Sequence, residues 1–316
     1  MLTTLWRASA PLTVTAFGML AVLALTALGL ALDPRLVTGA PVWLKPAKFA
    51  LSISIYAFTL AWIFTFLGPW RRTRRIVGWT TAVVMALEMG IIGVQAYRGT
   101  SSHFNASTPL DMALFSVMGL AIVVQTITTI AVAVALWRQR FDDLALGWAL
   151  RLGMTMTIVG AFAGGLMTAP TSQQLTAAKA GEGMPIAGAH TVGAPDGGPG
   201  MTGTGWSSEH GDLRVPHFIG LHALQAIPMF ALILRRRKIS AAVGVRLVAI
   251  AAASYAALFG IVLMQALRGQ SLLMPDALTL MLLASWLLTT AAAMAAAVAV
   301  HSGWLLDVKP GKIAGA

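Results

Sequence analysis

The chain has 316 residues, of which 57% are hydrophobic and only 10% charged, and its mean hydropathy is +0.77. A composition this apolar excludes a soluble globular domain and describes a multi-pass membrane protein. The formal net charge of +11 would suit nucleic acid, but the basic residues sit in short clusters between apolar runs and read as topology signals. The absence of cysteine excludes disulfides, thiolate metal sites and a thiol nucleophile.

Eight apolar runs are long enough to cross a hydrocarbon core about 30 Å thick as helices. They lie near 11–32, 47–68, 76–97, 111–137, 144–168, 216–234, 241–266 and 276–300, so the predicted class is an all-α polytopic membrane bundle. The first run exceeds a signal-peptide core and has no clear cleavage site, so it is kept as a span. Arg71, Arg72, Arg74 and Arg75 follow the second run, Arg138 and Arg140 the fourth, the basic residues 235–238 the sixth, and Lys309 and Lys312 the eighth. All fall on one side, which by the positive-inside rule is the cytoplasm. Both termini are then cytoplasmic in a bacterial inner membrane, with 33–46, 98–110, 169–215 and 267–275 outside. Arg151 and Arg246 begin their spans within snorkelling reach of the cytoplasm and read as structural. The glycine-rich 169–215 loop suits a flexible linker, yet Pro195-Asp196-Gly197-Gly198-Pro199-Gly200 is dense in turn formers and suits a folded cap.

Two matches point to an internal repeat. Residues 90–99 read GIIGVQAYRG and residues 260–269 read GIVLMQALRG, pairing Gln95 with Gln265 and Arg98 with Arg268. One span earlier, Lys45, Lys48 and Phe49 pair with Arg214, His217 and Phe218 at nearly the same offset. The predicted plan is a four-plus-four duplication in parallel orientation. The first half is 1–142. The second opens with the span 143–168, carries the 169–215 loop and closes with three helices and a tail over 216–316.

The candidate site centres on 211–225, GDLRVPHFIGLHALQ, which carries polar groups into an apolar helix. At 100° per residue His222 falls about 140° and Gln225 about 80° from His217, so one helix side could hold all three. His103, His190, His210, His217 and His222 fall on the predicted outer side, with Asp196, Glu209 and Asp212 as accessory carboxylates. Imidazoles there suit one haem b or a single transition metal, with His217, His222 and His103 as ligands. The five-residue spacing of His217 and His222 does not aim both at one ion, and polar packing at a helix start competes with that reading. Glu88 lies about 15 Å below the outer end of its helix, near the midplane, where a carboxylate is a functional candidate and suits a proton carrier. Gln95 shares its face. Lys45, Lys48, Arg98, Arg214 and Arg268 form an outer set of cations suited to haem propionates, a lipid phosphate or another anionic small molecule.

The segments 190–200, 211–218, 43–49 and 98–105 resemble those of an uncharacterised bacterial family of multi-pass membrane proteins, a resemblance that implies no activity. The eight-span duplicated plan with outer histidines is similar in architecture to haem A synthase, although a histidine pair in each half is missing. Two functions follow as expectations. One is an outward-facing membrane redox protein or enzyme holding haem or a metal. The other is a proton-coupled transporter or lipid-handling protein for an anionic substrate, with Glu88 as the coupling group.

Overall fold

The computed structural model describes residues 2–237 and 239–299; Lys238, Lys309 and Lys312 of the predicted basic clusters lie outside them. A short α1 (Leu2–Ala8) precedes eight long helices: α2 (Ala10–Leu32), α3 (Leu44–Phe64), α4 (Arg71–Tyr97), α5 (Pro109–Arg138), α6 (Leu144–Gly165), α8 (Arg214–Arg236), α9 (Ala241–Leu267) and α10 (Ala277–Ala299). The eight are long and apolar enough to cross a membrane, as the composition requires. Their starts follow local chemistry. Thr108, Asp143 and Ser240 accept hydrogen bonds from the backbone N–H groups of Asp111, Leu146 and Val243, which otherwise lack partners in a first turn. Their ends are set the same way. After α4 and α9 the chain turns through Gly99 (φ +70°) and Gly269 (φ +71°). The N–H groups of Gly99 and Thr100 return to Ala96 and Gln95, and those of Gly269 and Gln270 return to Ala266 and Gln265. This double closure needs a left-handed residue, which only glycine adopts without strain.

In the first four long helices, α2 packs on α3 and α4, α3 on α4, and α4 on α5; among the others α6 packs on α8 and α9, α8 on α9, and α9 on α10. The two sets meet where α5 lies against α6. Within a bilayer burial from water drives none of this, so close approach and dispersion must. The α6–α8 crossing shows it best: a Cβ on Gly160 would lie 2.5 Å from the Cα of Gly220. Toward the arginine-rich ends one core runs through both sets, including Leu12, Leu60, Phe64, Leu136, Leu150 and Leu224, all fully buried. Toward the opposite ends the core breaks up, and a smaller cluster around Ala50, Ile53, Ile92 and Met118 stays within the first set.

Arg151 belongs to the arginine-rich end and is structural, as its position implied. Its guanidinium donates to the carbonyls of Leu136 and Gln139 at 3.1 and 2.7 Å, satisfying the last turn of α5. It also lies over Trp137, Phe141 and Trp148 at 5.9, 5.3 and 5.3 Å. Arg151→Ala removes both contributions and is expected to cost about 2–3 kcal/mol, read as a lower Tm in detergent, while Arg151→Lys recovers less than half because an ammonium cannot span both carbonyls.

The connections at the other end knit into one cap. Antiparallel β1 (Leu36–Val37) and β2 (Ala40–Pro41) form a hairpin, and β3 (Thr191–Val192) pairs with β4 (Gly211–Asp212). Isolated pairs join Asn105 to Ile186, Gly200 to Ser207, and His210 to Gln270, so three connections share hydrogen bonds. The hairpin joins through Gly39 (φ +75°), where a Cβ would stand 2.8 Å from the carbonyl oxygen of Gly197. Between them α7 (Ser172–Lys179) starts in a capping box of Thr171 and Gln174. The 169–215 segment is therefore a folded cap. Its turn formers, not its glycine count, were the informative signal.

Candidate functional site

The cap is stapled to the bundle by cations read from the sequence as a ligand-binding rim. Lys48, one turn into α3, donates to the carbonyl of Thr204. Arg214, at the start of α8, donates to the next carbonyl, Gly205, at 2.7 Å and pairs with Asp212 at 2.6 Å. Adjacent cap carbonyls thus link the two helix sets. Arg98 pairs with Asp111 at 2.6 Å, and Gln95 donates to the same carboxylate at 2.9 Å, fixing the end of α4 to the start of α5. Arg268 pairs with Asp276 in the equivalent place between α9 and α10. Four of the five cations therefore already have acceptors, and Arg98 and Arg268 each serve their own helix pair instead of converging on a common anion.

Lys45 differs. It sits in the first turn of α3, and among the described residues it has no hydrogen-bond or ion-pair partner. It lies within electrostatic reach of Glu88, Asp196, Lys48 and Arg214. Glu88 is 2% exposed on α4, its Oε1 is buried without a hydrogen-bond partner, and Lys45 is the charged group whose field reaches it. A half-buried lysine and a buried carboxyl within electrostatic reach of one another, with no ion pair closed between them, are costly to hold.

Around them stand three imidazoles from three elements. His103, on the 98–108 connection, sits among Phe49, Phe104 and Phe115, with ring centroids 5.8, 6.1 and 6.4 Å away, and its Nδ1 meets Ser102 Oγ at 3.1 Å. Burial holds it in the neutral form well below the ordinary histidine range, and the fields of Lys45, His190 and His217 add to this. His190, from the cap, joins Asp196 through Nδ1 at 2.6 Å and packs on Phe104 at 4.9 Å. His217, on α8, meets the carbonyl of Gly160 on α6 through Nδ1 at 2.7 Å, which fixes the proton there and leaves Nε2 bare. His222 points elsewhere: its ring lies 4.1 Å from Phe218, and Gln225 beside it donates to Thr59 on α3 at 3.1 Å. The expected grouping of His217, His222 and Gln225 on one side does not form. His217 faces α6, whereas Gln225 faces α3.

No family model, curated protein or solved structure matches this chain. Among the described residues no three His, Asp or Glu side chains are placed to hold a metal ion together. A surface recess of about 470 Å³ lies against α7, lined by residues including Ser172, Thr176 and Glu182, and contains neither Lys45, Glu88 nor any of the three histidines. From the sequence His190 and Asp196 stand only among the outer histidines and accessory carboxylates, with no sign that they pair, and the aromatic box around His103 has no sequence signal. The dense turn at 195–200 brings the pair together, since it returns Asp196 to the backbone N–H groups of His190 and Thr191 at 3.0 and 2.9 Å.

The His190–Asp196 pair gives the cap a pH dependence. Burial lowers the proton affinity of His190 more than Asp196 restores it. Burial works against the Asp196 carboxylate, but the hydrogen bond and charge of His190 and the backbone donors outweigh it and hold the group below the usual carboxylate range. A histidine that binds protons more weakly folded than unfolded contributes stability that is complete above its unfolded value of 6.5 and is lost as the pH falls below it. Cap stability is therefore expected to fall from pH 7 to pH 5. Proteolytic cleavage within 193–205 should be several-fold faster at pH 5, and His190→Gln should flatten that dependence.

Proposed function

We propose that this chain is a proton-linked membrane carrier whose site for a small anion lies beneath the cap, on the extracytoplasmic side. The observation that carries the reading is Glu88, buried near the midplane, without a hydrogen bond, under the field of a lysine that is itself unpaired. Lys45 supplies the positive potential that an anion would follow, and Glu88 takes or releases the accompanying proton, so that the pair crosses with little net charge. The matching packing order of α2–α5 and α6, α8–α10 supports descent from one duplicated four-helix unit. The identical offset of α4 and α9, at residues 71–97 and 241–267, supports it further. Sites in carriers built this way lie between the repeats, and the reading is supported by Lys45 from the first set and His217 from the second both lying within electrostatic reach of His103. The positive-inside rule applied to the arginine clusters supports a cytoplasmic side for the continuous core, which on this reading is the closed side of the carrier.

The test uses proteoliposomes loaded with a pH dye and given inward gradients of phosphate, sulfate, succinate or a sugar phosphate. At least one is expected to acidify the lumen with wild-type protein and not with Glu88→Gln. No difference from empty liposomes for any anion, or acidification that survives Glu88→Gln, removes the reading.

A second reading, an outward-facing redox protein or enzyme with haem b or one transition metal, is favoured by the way His190 and His217 are anchored. Each commits Nδ1 to a carboxylate or carbonyl, as metal-ligating histidines commonly do. Absorption spectra before and after dithionite, with elemental analysis of the purified protein, decide it: a Soret band or stoichiometric iron, copper or zinc is expected under this reading.

A further inference from the structure

Facing stripes of α3 and α8 are tied at two levels and open between them. Nearest the cap, Lys48 holds Thr204 and Arg214 holds Gly205. Deeper in, Gln225 on α8 donates to Thr59 on α3 at 3.1 Å. Helical spacing puts Lys48, Ser52, Ile55 and Thr59 on one stripe of α3, and Phe218, His222 and Gln225 on one stripe of α8. Between the ties Ser52 is exposed, Phe218 is 45% exposed and His222 is half-buried. Trp206 of the cap meets Phe218 edge-on at 5.5 Å, and Phe218 meets His222 at 4.1 Å.

Ser52 and His222 each stand eight residues into their helices, about 12 Å below the helix starts. At that depth an exposed side chain meets hydrocarbon, where the Ser52 hydroxyl is out of place without a polar partner and the His222 imidazole has only Gln225 to bond. Taken as a lipid-facing side by its depth below the helix starts, the opening admits a ligand dissolved in the bilayer. The opening carries no uncommitted charge, because Lys48 is taken by Thr204. Two aromatic rings beside two neutral hydrogen-bonding groups match a flat, uncharged headgroup.

We propose that this opening is a lateral binding site for a membrane-dissolved amphiphile with a planar, hydrogen-bonding headgroup, by class a prenylated quinone. The ring stacks against Phe218 and Trp206, its oxygens accept from His222 and Ser52, and its tail leaves along the lipid face of α8 past Met229, which is 57% exposed.

The test titrates the full chain in nanodiscs with decylubiquinone and reads tryptophan fluorescence as the difference between wild type and Trp206→Phe. Saturable one-to-one quenching is expected, with the midpoint raised at least tenfold by His222→Leu and by Ser52→Leu. Ser52→Leu fills the opening from the other helix and decides the matter if the first variant does not fold. Quenching that never saturates, or that neither variant moves, overturns the proposal. So does solvent extraction of a stoichiometric phospholipid that decylubiquinone fails to displace.

Discussion

Replacing Gly220 by valine is expected to abolish recovery of monodisperse protein. A Cβ at Gly220 would press into the Cα of Gly160 and stand 3.0 Å from its nitrogen and 3.2 Å from the Phe259 ring. Two of these contacts are backbone, so no side-chain rotation relieves them. The helices must separate along their whole length and surrender the dispersion contacts that hold them in lipid. About 4 kcal/mol or more is at stake, beyond what most single substitutions cost. The damage reaches the site as well, because the Gly160 carbonyl accepts from His217, and an α6 pushed aside no longer fixes that imidazole. Gly119→Ala in α5, where a Cβ would meet nothing within 4 Å, is the control and is expected to leave Tm unchanged or slightly raised. Thermal unfolding of both variants in one detergent checks the pair, and a Gly220→Val protein with wild-type Tm would refute the close crossing.

That crossing also marks the limit of what the sequence makes legible. Apolar run length and basic clusters suffice for the eight long helices, because the bilayer imposes a length that few other structures share. Observed starts such as Leu44, Arg71 and Arg214 nonetheless precede the apolar runs by two to five residues, since polar first turns belong to the helix. The glycines of α6 and α8 look like ordinary membrane-helix glycines until their partner is known. The same holds for charge. Arg98, Arg214 and Arg268 are visible as cations on the side where cations are unexpected, but Asp111, Asp212 and Asp276, their partners, lie 13, 2 and 8 residues away with nothing in the spacing to announce a pair. Periodicity likewise allows His217 and His222 to share a face and cannot tell that a backbone carbonyl on another helix claims one of them. Glu88 was legible because its cost is local: a carboxylate in hydrocarbon is anomalous whatever surrounds it.

Glu88→Gln and Lys45→Met together separate coupling from binding. Gln keeps the size and polarity of the carboxyl and cannot ionise, so the helix packing around this 2%-exposed site is preserved and Tm is expected to stay within a few degrees of wild type. Proton movement linked to the anion should fall by about 100-fold, the size expected when a positioned proton-transfer group is lost. Binding should persist, because Lys45 keeps its charge, and phosphate or whichever anion acidifies the liposomes should still raise Tm. Lys45→Met reverses the pattern. It leaves a carboxyl that can take a proton but removes the cation acting on it, so the anion-dependent rise in Tm disappears while the neutral side chain packs where the buried lysine stem did. If Lys45 acted merely to offset Glu88, the double variant would regain anion binding through relief of an unpaired charge; if it recruits the anion, the double variant binds no better than Lys45→Met. Isothermal titration of the four proteins with the same anion distinguishes these outcomes, and anion affinity that ignores Lys45→Met is incompatible with a carrier site beneath the cap.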